Sequence, residues 1–332
     1  MTETFKALVA RETDGEVACE FEDLTADDLP GDGDAVISVA YSTLNYKDGL
    51  AIKGNQGKVM RSLPMVPGID LAGVVEDPGN SGLEPGDEIV VTGWGLSETA
   101  WGGYSQKTKL NSDWLLPLPE GISLKQSMAI GTAGFTAMLS VMALEHMGLK
   151  PSQGEVLVTG AAGGVGSVAV AILANLGYDV AASTGRAEQH DYLESLGAGS
   201  IVERAELEED GGPMRKARWA GGVDTVGSRI LVNTMAQIKP NGSIAVCGLA
   251  AGPDLPATVI PIILRGVSLL GINSVHISNE KRKVAWDRLA KELPMDLLDS
   301  MTEVVPFVNL PGLAGEILKG RVRGRTVVDV NA

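Results

Sequence analysis

The segment Val156-Leu157-Val158-Thr159-Gly160-Ala161-Ala162-Gly163-Gly164-Val165-Gly166 limits what this chain can fold into more than any other. A short apolar run leads directly into clustered glycines, and an apolar helical pattern from Val165 to Leu176 follows at once. Strand, glycine turn and helix in that order form the context of a dinucleotide-binding fingerprint. Ala161 stands in for the first glycine of the usual pattern, yet the physical roles survive. Gly163 and Gly164 let the backbone approach a pyrophosphate, and Gly166 permits close helix–sheet packing. The helix N-terminus then adds free N–H groups and partial positive charge.

Strand and helix patterns keep alternating around this loop. Strands are expected at Glu155 to Thr159, Val180 to Ser183, Ser200 to Val202, Val223 to Val226, Ser243 to Cys247 and Val267 to Ile272, and helices at Ala187 to Leu196 and Ile230 to Ile238. Such alternation predicts βαβ units and a doubly wound parallel sheet, an α/β fold. The second strand indicates which dinucleotide it binds. An NAD-binding unit carries an acid about 20 residues on, bonded to the ribose 2′-hydroxyl. Here that strand ends in Ser183-Thr184-Gly185-Arg186, and Asp179 precedes the strand rather than ending it. A hydroxyl, a glycine and a guanidinium suit a 2′-phosphate instead, with Arg204 as a second cation. NADPH is the expected cofactor.

Before residue 124 the texture differs. Short strands such as Ala35 to Ala40 and Glu88 to Val91 lie between turn clusters like Pro30-Gly31-Asp32-Gly33, which predicts an antiparallel, barrel-like β region. A helical stretch, Leu124 to Leu144, marks the change; helices at Lys281 to Leu293 and Leu310 to Leu318 and a strand at Arg325 to Val330 close the chain. At 332 residues, about two domains are expected. With 42 acidic against 27 basic side chains, the net charge of −15 opposes binding to nucleic acid or an anionic membrane surface. Apolar runs such as Val168 to Ala174 fall short of the ~20 residues that span a bilayer, and no leader pattern opens the chain. Two widely separated cysteines, Cys19 and Cys247, read as reduced thiols, so a cytoplasmic protein is expected. His146, His190 and His276 form no metal-ligand spacing with them, so no metal site is expected.

Three further motifs accompany the glycine loop: Asn45-Tyr46-Lys47-Asp48, Pro67-Gly68-Ile69-Asp70-Leu71-Ala72-Gly73 and Gly131-Thr132-Ala133-Gly134-Phe135-Thr136-Ala137. With them the chain resembles the zinc-free medium-chain dehydrogenases/reductases of the quinone-oxidoreductase branch. Within that branch it is most similar to the NADPH-dependent acrylyl-CoA reductases, on Ser42-Thr43-Leu44 before Asn45, Thr92-Gly93-Trp94-Gly95, Trp101-Gly102-Gly103, Ala137-Met138-Leu139, Thr184-Gly185-Arg186, Trp219-Ala220-Gly221 and Gly324-Arg325-Thr326. The resemblance implies a GroES-like β-barrel domain over 1–123 and 276–332, a Rossmann domain over 124–275, and an active site in the cleft. It also implies a homodimer, for which Val259-Ile260-Pro261-Ile262-Ile263-Leu264 and the strand Val267 to Ile272 are the expected contact. Residue by residue, it implies that Ala162, Gly163, Gly164 and Val165 cradle the pyrophosphate and that Thr184, Gly185, Arg186 and Arg204 hold the adenosine phosphate. It places Tyr46, Leu249, Ile263 and Ser274 near the nicotinamide and lets Arg323 fold back over the cleft.

Zinc-dependent relatives carry Gly-His-Glu where this chain has Gly68-Ile69-Asp70, and a ligating cysteine where it has Asn45. The chemistry then expected is hydride transfer to a carbon–carbon double bond conjugated to a carbonyl, or to a quinone. Enoyl thioester reductases of the mitochondrial type place a proton-donating tyrosine where this chain has Gln56, which is no general acid. Asn45, Tyr46, Lys47 and Asp48 are therefore the catalytic candidates, directly or through a held water. An acyl-CoA thioester is the expected substrate, and Lys53, Lys58 and Arg61 are candidate cations for its phosphates. A quinone or enone oxidoreductase is the alternative. A non-catalytic NADPH-binding protein is the third reading, against which the intact Asn45–Asp48 motif speaks.

Overall fold

Six parallel strands carry the glycine loop, side by side in the order Ser200–Glu203, Val180–Thr184, Val156–Val158, Trp219–Asp224, Ile238–Val246 and Ser268–Gly271. Counted along the chain this order is 3-2-1-4-5-6, the doubly wound arrangement whose switch point lies between the first and fourth strands. Val156–Val158 is buried throughout, as expected of a strand covered on both faces. The computed structural model that shows this describes residues 3–332. The strand expected at Val223 begins at Trp219, because Gly221 and Gly222 serve here as sheet residues; a Cβ at Gly221 would lie 3.1 Å from the Ser243 carbonyl. Ile238 opens the next strand rather than closing the preceding helix, which is Ser228–Met235. Leu157, Trp219, Ile230, Leu231 and Ile244 belong to the buried core on this sheet.

These elements belong to a unit made of Ala133–Ser274 and Asp287–Leu297. The second unit runs to Thr132 and takes in Val275–Trp286 and Leu298–Ala332. Its sheet has seven strands: Thr302–Pro306, Arg325–Asp329, Ala35–Thr43, Asp70–Asp77, Glu88–Thr92 and Leu116–Pro117 in order, with Lys107–Leu110 also on Ala35–Thr43. Arg325–Asp329 pairs antiparallel with Ala35–Thr43, so the end of the chain completes the N-terminal sheet. A hairpin of two ten-residue strands, Thr4–Thr13 and Glu16–Thr25, turns at Asp14-Gly15, both at positive φ as a tight hairpin requires. Leu8, Ile37, Leu71, Ile89, Tyr104, Phe307 and Val328 form part of its core. The fold is thus a GroES-like β domain plus a Rossmann sheet.

The helix Leu124–His146 is long and apolar enough to cross a bilayer, with a mean hydropathy of 1.6, but 83% of that window is buried within the protein. It breaks at Gly131, where φ is 49° and ψ −162°. The break has a use in the site described next.

Candidate active site

Asn45 precedes the short helix Tyr46–Ile52 as its N-cap. The Asp48 carboxylate reaches back to the Asn45 backbone N–H at 2.9 Å, so the turn closes on itself in capping-box fashion. Its other oxygen accepts from the Ile69 N–H at 3.0 Å. The Asn45 amide donates to Asp48 at 3.0 Å and to Asp70 at 2.8 Å, which uses both of its hydrogens. Its Oδ1 faces Arg325 at 3.4 Å. The opposite flip would set an oxygen against two carboxylates and an N–H against a guanidinium, so the neighbours fix the assignment.

Asp70 and Arg325 do more than orient Asn45. The break at Gly131 frees backbone groups of the helix, and these two side chains take them up. The Thr132 N–H donates to Asp70 at 2.9 Å and the Thr132 hydroxyl to its other oxygen, while Arg325 Nε donates to the Ala129 carbonyl at 2.6 Å. A Cβ on Gly131 would lie 2.9 Å from both Asp70 and Arg325, so glycine is required there for space as well as for φ. Arg325 also donates to the Thr43 hydroxyl at 2.9 Å, and the Tyr104 hydroxyl to the Thr43 carbonyl at 3.0 Å. Asp48, Asp70 and Arg325 are all buried. Burial, and then the nearby Asp70, push the Asp48 carboxyl up to about 7. Burial raises Asp70 too, against the pull of its bonds from Thr132 and Asn45 and of the Arg325 charge.

In this arrangement both Asn45 amide hydrogens are bonded to carboxylates, and Asp48 is buried. Lys47 is paired with Glu98, which also faces Arg61 at 3.6 Å. Tyr46 is the first residue of the helix, 42% exposed, and its hydroxyl has no hydrogen-bond partner among the described contacts. It is the motif's free donor. Gln56 lies beyond the helix in the turn Gln56–Lys58.

In the Rossmann unit, Gly163 is the N-cap of the helix Gly164–Asn175, so the first N–H groups of that helix have no partner within it. A Cβ at Gly163 would meet only the Gly160 carbonyl, at 3.3 Å, leaving the approach open to a phosphate. At Gly166 a Cβ would lie 2.4 Å from the Gly160 carbonyl and 2.6 Å from Ala161 Cα, which is the close-packing role. Thr184 is buried at the end of its strand, and its hydroxyl accepts from the Arg186 N–H at 3.2 Å. The Arg204 guanidinium lies beside Gly185, where a Cβ would come within 2.6 Å of it. Thr184, Gly185, Arg186 and Arg204 therefore form one group, and the residues present fit a phosphorylated adenosine. Leu249 and Ser274 each follow a strand at the carboxyl edge of the sheet. Leu249 and Ile263 are both exposed, Ile263 on the helix Ile260–Arg265, whose C-terminal end lies against Asn241. Tyr46 and Arg323 belong to the other unit, where Arg323 is exposed.

Sequence reading did not find Asp224. Buried in the strand next to the loop, it accepts from the Thr159 hydroxyl at 2.7 Å and the Gly227 N–H at 2.8 Å, and so ties the loop to the switch point. The signal was an acid ending an apolar strand. Nor did it find Asp70 and Arg325 as a pair, although each is a charged residue opening a strand of largely buried residues.

Among the described residues no group of three or more His, Cys, Asp or Glu is placed to hold a metal ion. Where zinc-dependent relatives place ligands, Ile69 is apolar, and Asn45 and Asp70 are bonded to each other; the residues do not fit zinc.

Residues 31–120 match the alcohol dehydrogenase GroES-like domain, and residues 164–291 match the zinc-binding dehydrogenase family. Acrylyl-CoA reductase AcuI of Ruegeria pomeroyi is 55% identical over 331 residues, 99% of this chain and 100% of the relative. The structure of Escherichia coli YhdH with bound NADPH has a TM-score of 0.95 at 45% identity, covering 98% of this chain and 100% of that one. Bacillus subtilis YhfP, a putative quinone oxidoreductase, is 44% identical over 99% of each chain. Its structure with bound NAD has a TM-score of 0.95, covering 99% of this chain and 100% of that one.

Proposed function

The chain belongs to the medium-chain dehydrogenase/reductase family, and from that premise we propose that it reduces short 2-enoyl-CoA thioesters with NADPH, acrylyl-CoA to propionyl-CoA foremost. The observation that carries this reading is the 55% identity to an acrylyl-CoA reductase from end to end. Bound NADPH supplies a hydride, which goes to Cβ of the thioester. Thr184, Arg186 and Arg204 receive its 2′-phosphate, and the free N–H groups from Gly164 onward receive its pyrophosphate. The Tyr46 hydroxyl stabilises charge developing on the thioester oxygen and gives its proton to the enolate at Cα, the phenolate then taking a proton from solvent. Asn45, Asp48 and Asp70 hold the helix that presents Tyr46, and Lys47 stays bound to Glu98.

No metal takes part on this reading: the Asn45–Asp70 bond fills the place of the ligands, and exhaustive chelation is expected to leave activity intact. The enzyme is cytoplasmic, in keeping with free Cys19 and Cys247, and a homodimer. The exposed apolar side chains Val259, Ile263 and Leu264 lie next to Ser268–Gly271, the edge strand of the parallel sheet, which together suit a symmetric contact. Ile263→Asp is expected to yield monomers by light scattering.

A second reading, quinone or enone reduction, is favoured by the likeness to YhfP. Steady-state kinetics on acrylyl-CoA, crotonyl-CoA and a benzoquinone separate the two. Highest kcat/KM on acrylyl-CoA is expected; one added methylene costs ~1–3 kcal/mol, so crotonyl-CoA should be slower yet still measurable. Brisk quinone reduction without thioester turnover would give the case to the second reading.

A further inference from the structure

The helix Tyr46–Ile52 begins at the Asn45 network, and just past its other end Gly54 opens a cavity of about 850 Å³ between the N-terminal hairpin and the loop that runs to Pro64. On a chain with 15 more acids than bases, this cavity is lined by Arg11, Lys58 and Arg61 against one acid, Glu12. Arg11 is fixed by Glu22 through Nε and Nη2, at 2.7 and 2.8 Å, which leaves Nη1 facing no partner. Lys58 Nζ takes part in no hydrogen bond or ion pair among the described contacts. Asn55 pins the loop, donating to the Met60 carbonyl at 2.9 Å and accepting from its N–H at 2.8 Å. Met60 and Leu63 add apolar lining beside the cations. Two guanidinium groups and an ammonium beside an apolar wall suit phosphates attached to a flat heterocycle.

We propose that this cavity seats the 3′-phosphoadenosine end of a coenzyme A thioester, an inference that rests on the acyl-CoA substrate proposed above. The seven-residue helix is about 10 Å long, a distance an extended pantetheine arm covers while its thioester stays near Tyr46. Glu98 links the two ends, pairing with Lys47 on the helix and Arg61 at the cavity.

The test uses the full-length enzyme saturated with NADP⁺, so that the dinucleotide site is filled. Adenosine 3′,5′-bisphosphate is titrated calorimetrically into wild type, Lys58→Gln and Lys58→Glu, which place side chains of different charge at the same left-handed position, φ 52°. Wild type is expected to bind, Lys58→Gln about threefold to fivefold more weakly, and Lys58→Glu more weakly still. Equal affinities in all three, or no binding to wild type, would overturn the assignment. In turnover, Lys58→Gln should raise KM for acrylyl-CoA by the same factor, leaving kcat and the KM for acrylyl-pantetheine unchanged; equal rises for both thioesters would also overturn it. If wild type reduces neither thioester, the substrate reading falls, and the calorimetric series still decides the cavity.

Discussion

The glycine loop of one unit and the Asn45 network of the other both hold polar groups rigidly, but with opposite materials. The loop is one continuous stretch whose working groups are backbone N–H donors, and its side chains are absent or small. The network is made of side chains drawn from distant segments: Thr43, Asn45 and Asp48, then Asp70, Tyr104, Thr132 and Arg325. In the loop, sensitivity is therefore steric and lies where a Cβ has no room. In the network it is electrostatic and lies in single buried atoms, each of which leaves a partner unsatisfied when removed.

The largest effect is expected from Asp70→Ala, which strands the Arg325 charge, the Thr132 N–H and one Asn45 hydrogen together. Loss of one partner from a buried charged pair costs about 3–5 kcal/mol, and denaturant unfolding should show a drop of that order. Asp70→Asn should cost clearly less, and an equal loss in the two variants would mean that shape rather than charge matters there. Gly166→Ala comes next, at about 1–3 kcal/mol, because the atoms in the way are backbone and cannot swing aside. Gly163→Ala should hardly change the melting temperature yet raise KM for NADPH; comparable destabilisation of both would erase the distinction within the loop.

A smaller effect is a change in how stability follows pH. The Asp48 carboxyl lies near 7 when folded, above its ordinary value, because it is buried and close to Asp70. The native state thus holds its proton more tightly than the unfolded chain does. The resulting stabilisation is complete below about pH 4 and fades as pH rises through 7. Asp48→Asn cannot ionise, so its melting temperature should fall less than that of wild type between pH 5.5 and about pH 8. Parallel curves would contradict the burial of an ionisable group there. The smallest effect is Arg186→Ala, expected to raise KM for NADPH about fivefold with little change for NADH, as loss of one partly exposed phosphate contact should. Equal changes for both cofactors would remove Arg186 from the phosphate site.

The same contrast explains what was legible in the sequence. Fold class, the loop and the Thr184–Arg186 turn are local patterns, set by hydrophobic period and glycine spacing over a few tens of residues. Arg325 meets Asn45 across 280 positions, and nothing local in Gly324-Arg325-Thr326 announces that meeting. Nor does the motif Asn45-Tyr46-Lys47-Asp48 show that the Asn45 hydrogens go to Asp48 and, 25 residues on, to Asp70, because the fold alone brings Asp70 there. Trp219–Asp224 was shortened because Gly221 and Gly222 look like a turn until neighbouring strands close on them.

Transfer of isotope from cofactor to product bears on the proposed chemistry without intermediaries. With acrylyl-CoA and NADPH deuterated at the transferred position, label should appear solely at C3 of propionyl-CoA, and solvent deuterium at C2. Tyr46→Phe should slow this turnover while leaving the position of the label unchanged. Label at C2, or acrylyl-CoA left unconsumed while a quinone is rapidly reduced, would contradict a hydride delivered to the β-carbon of a thioester.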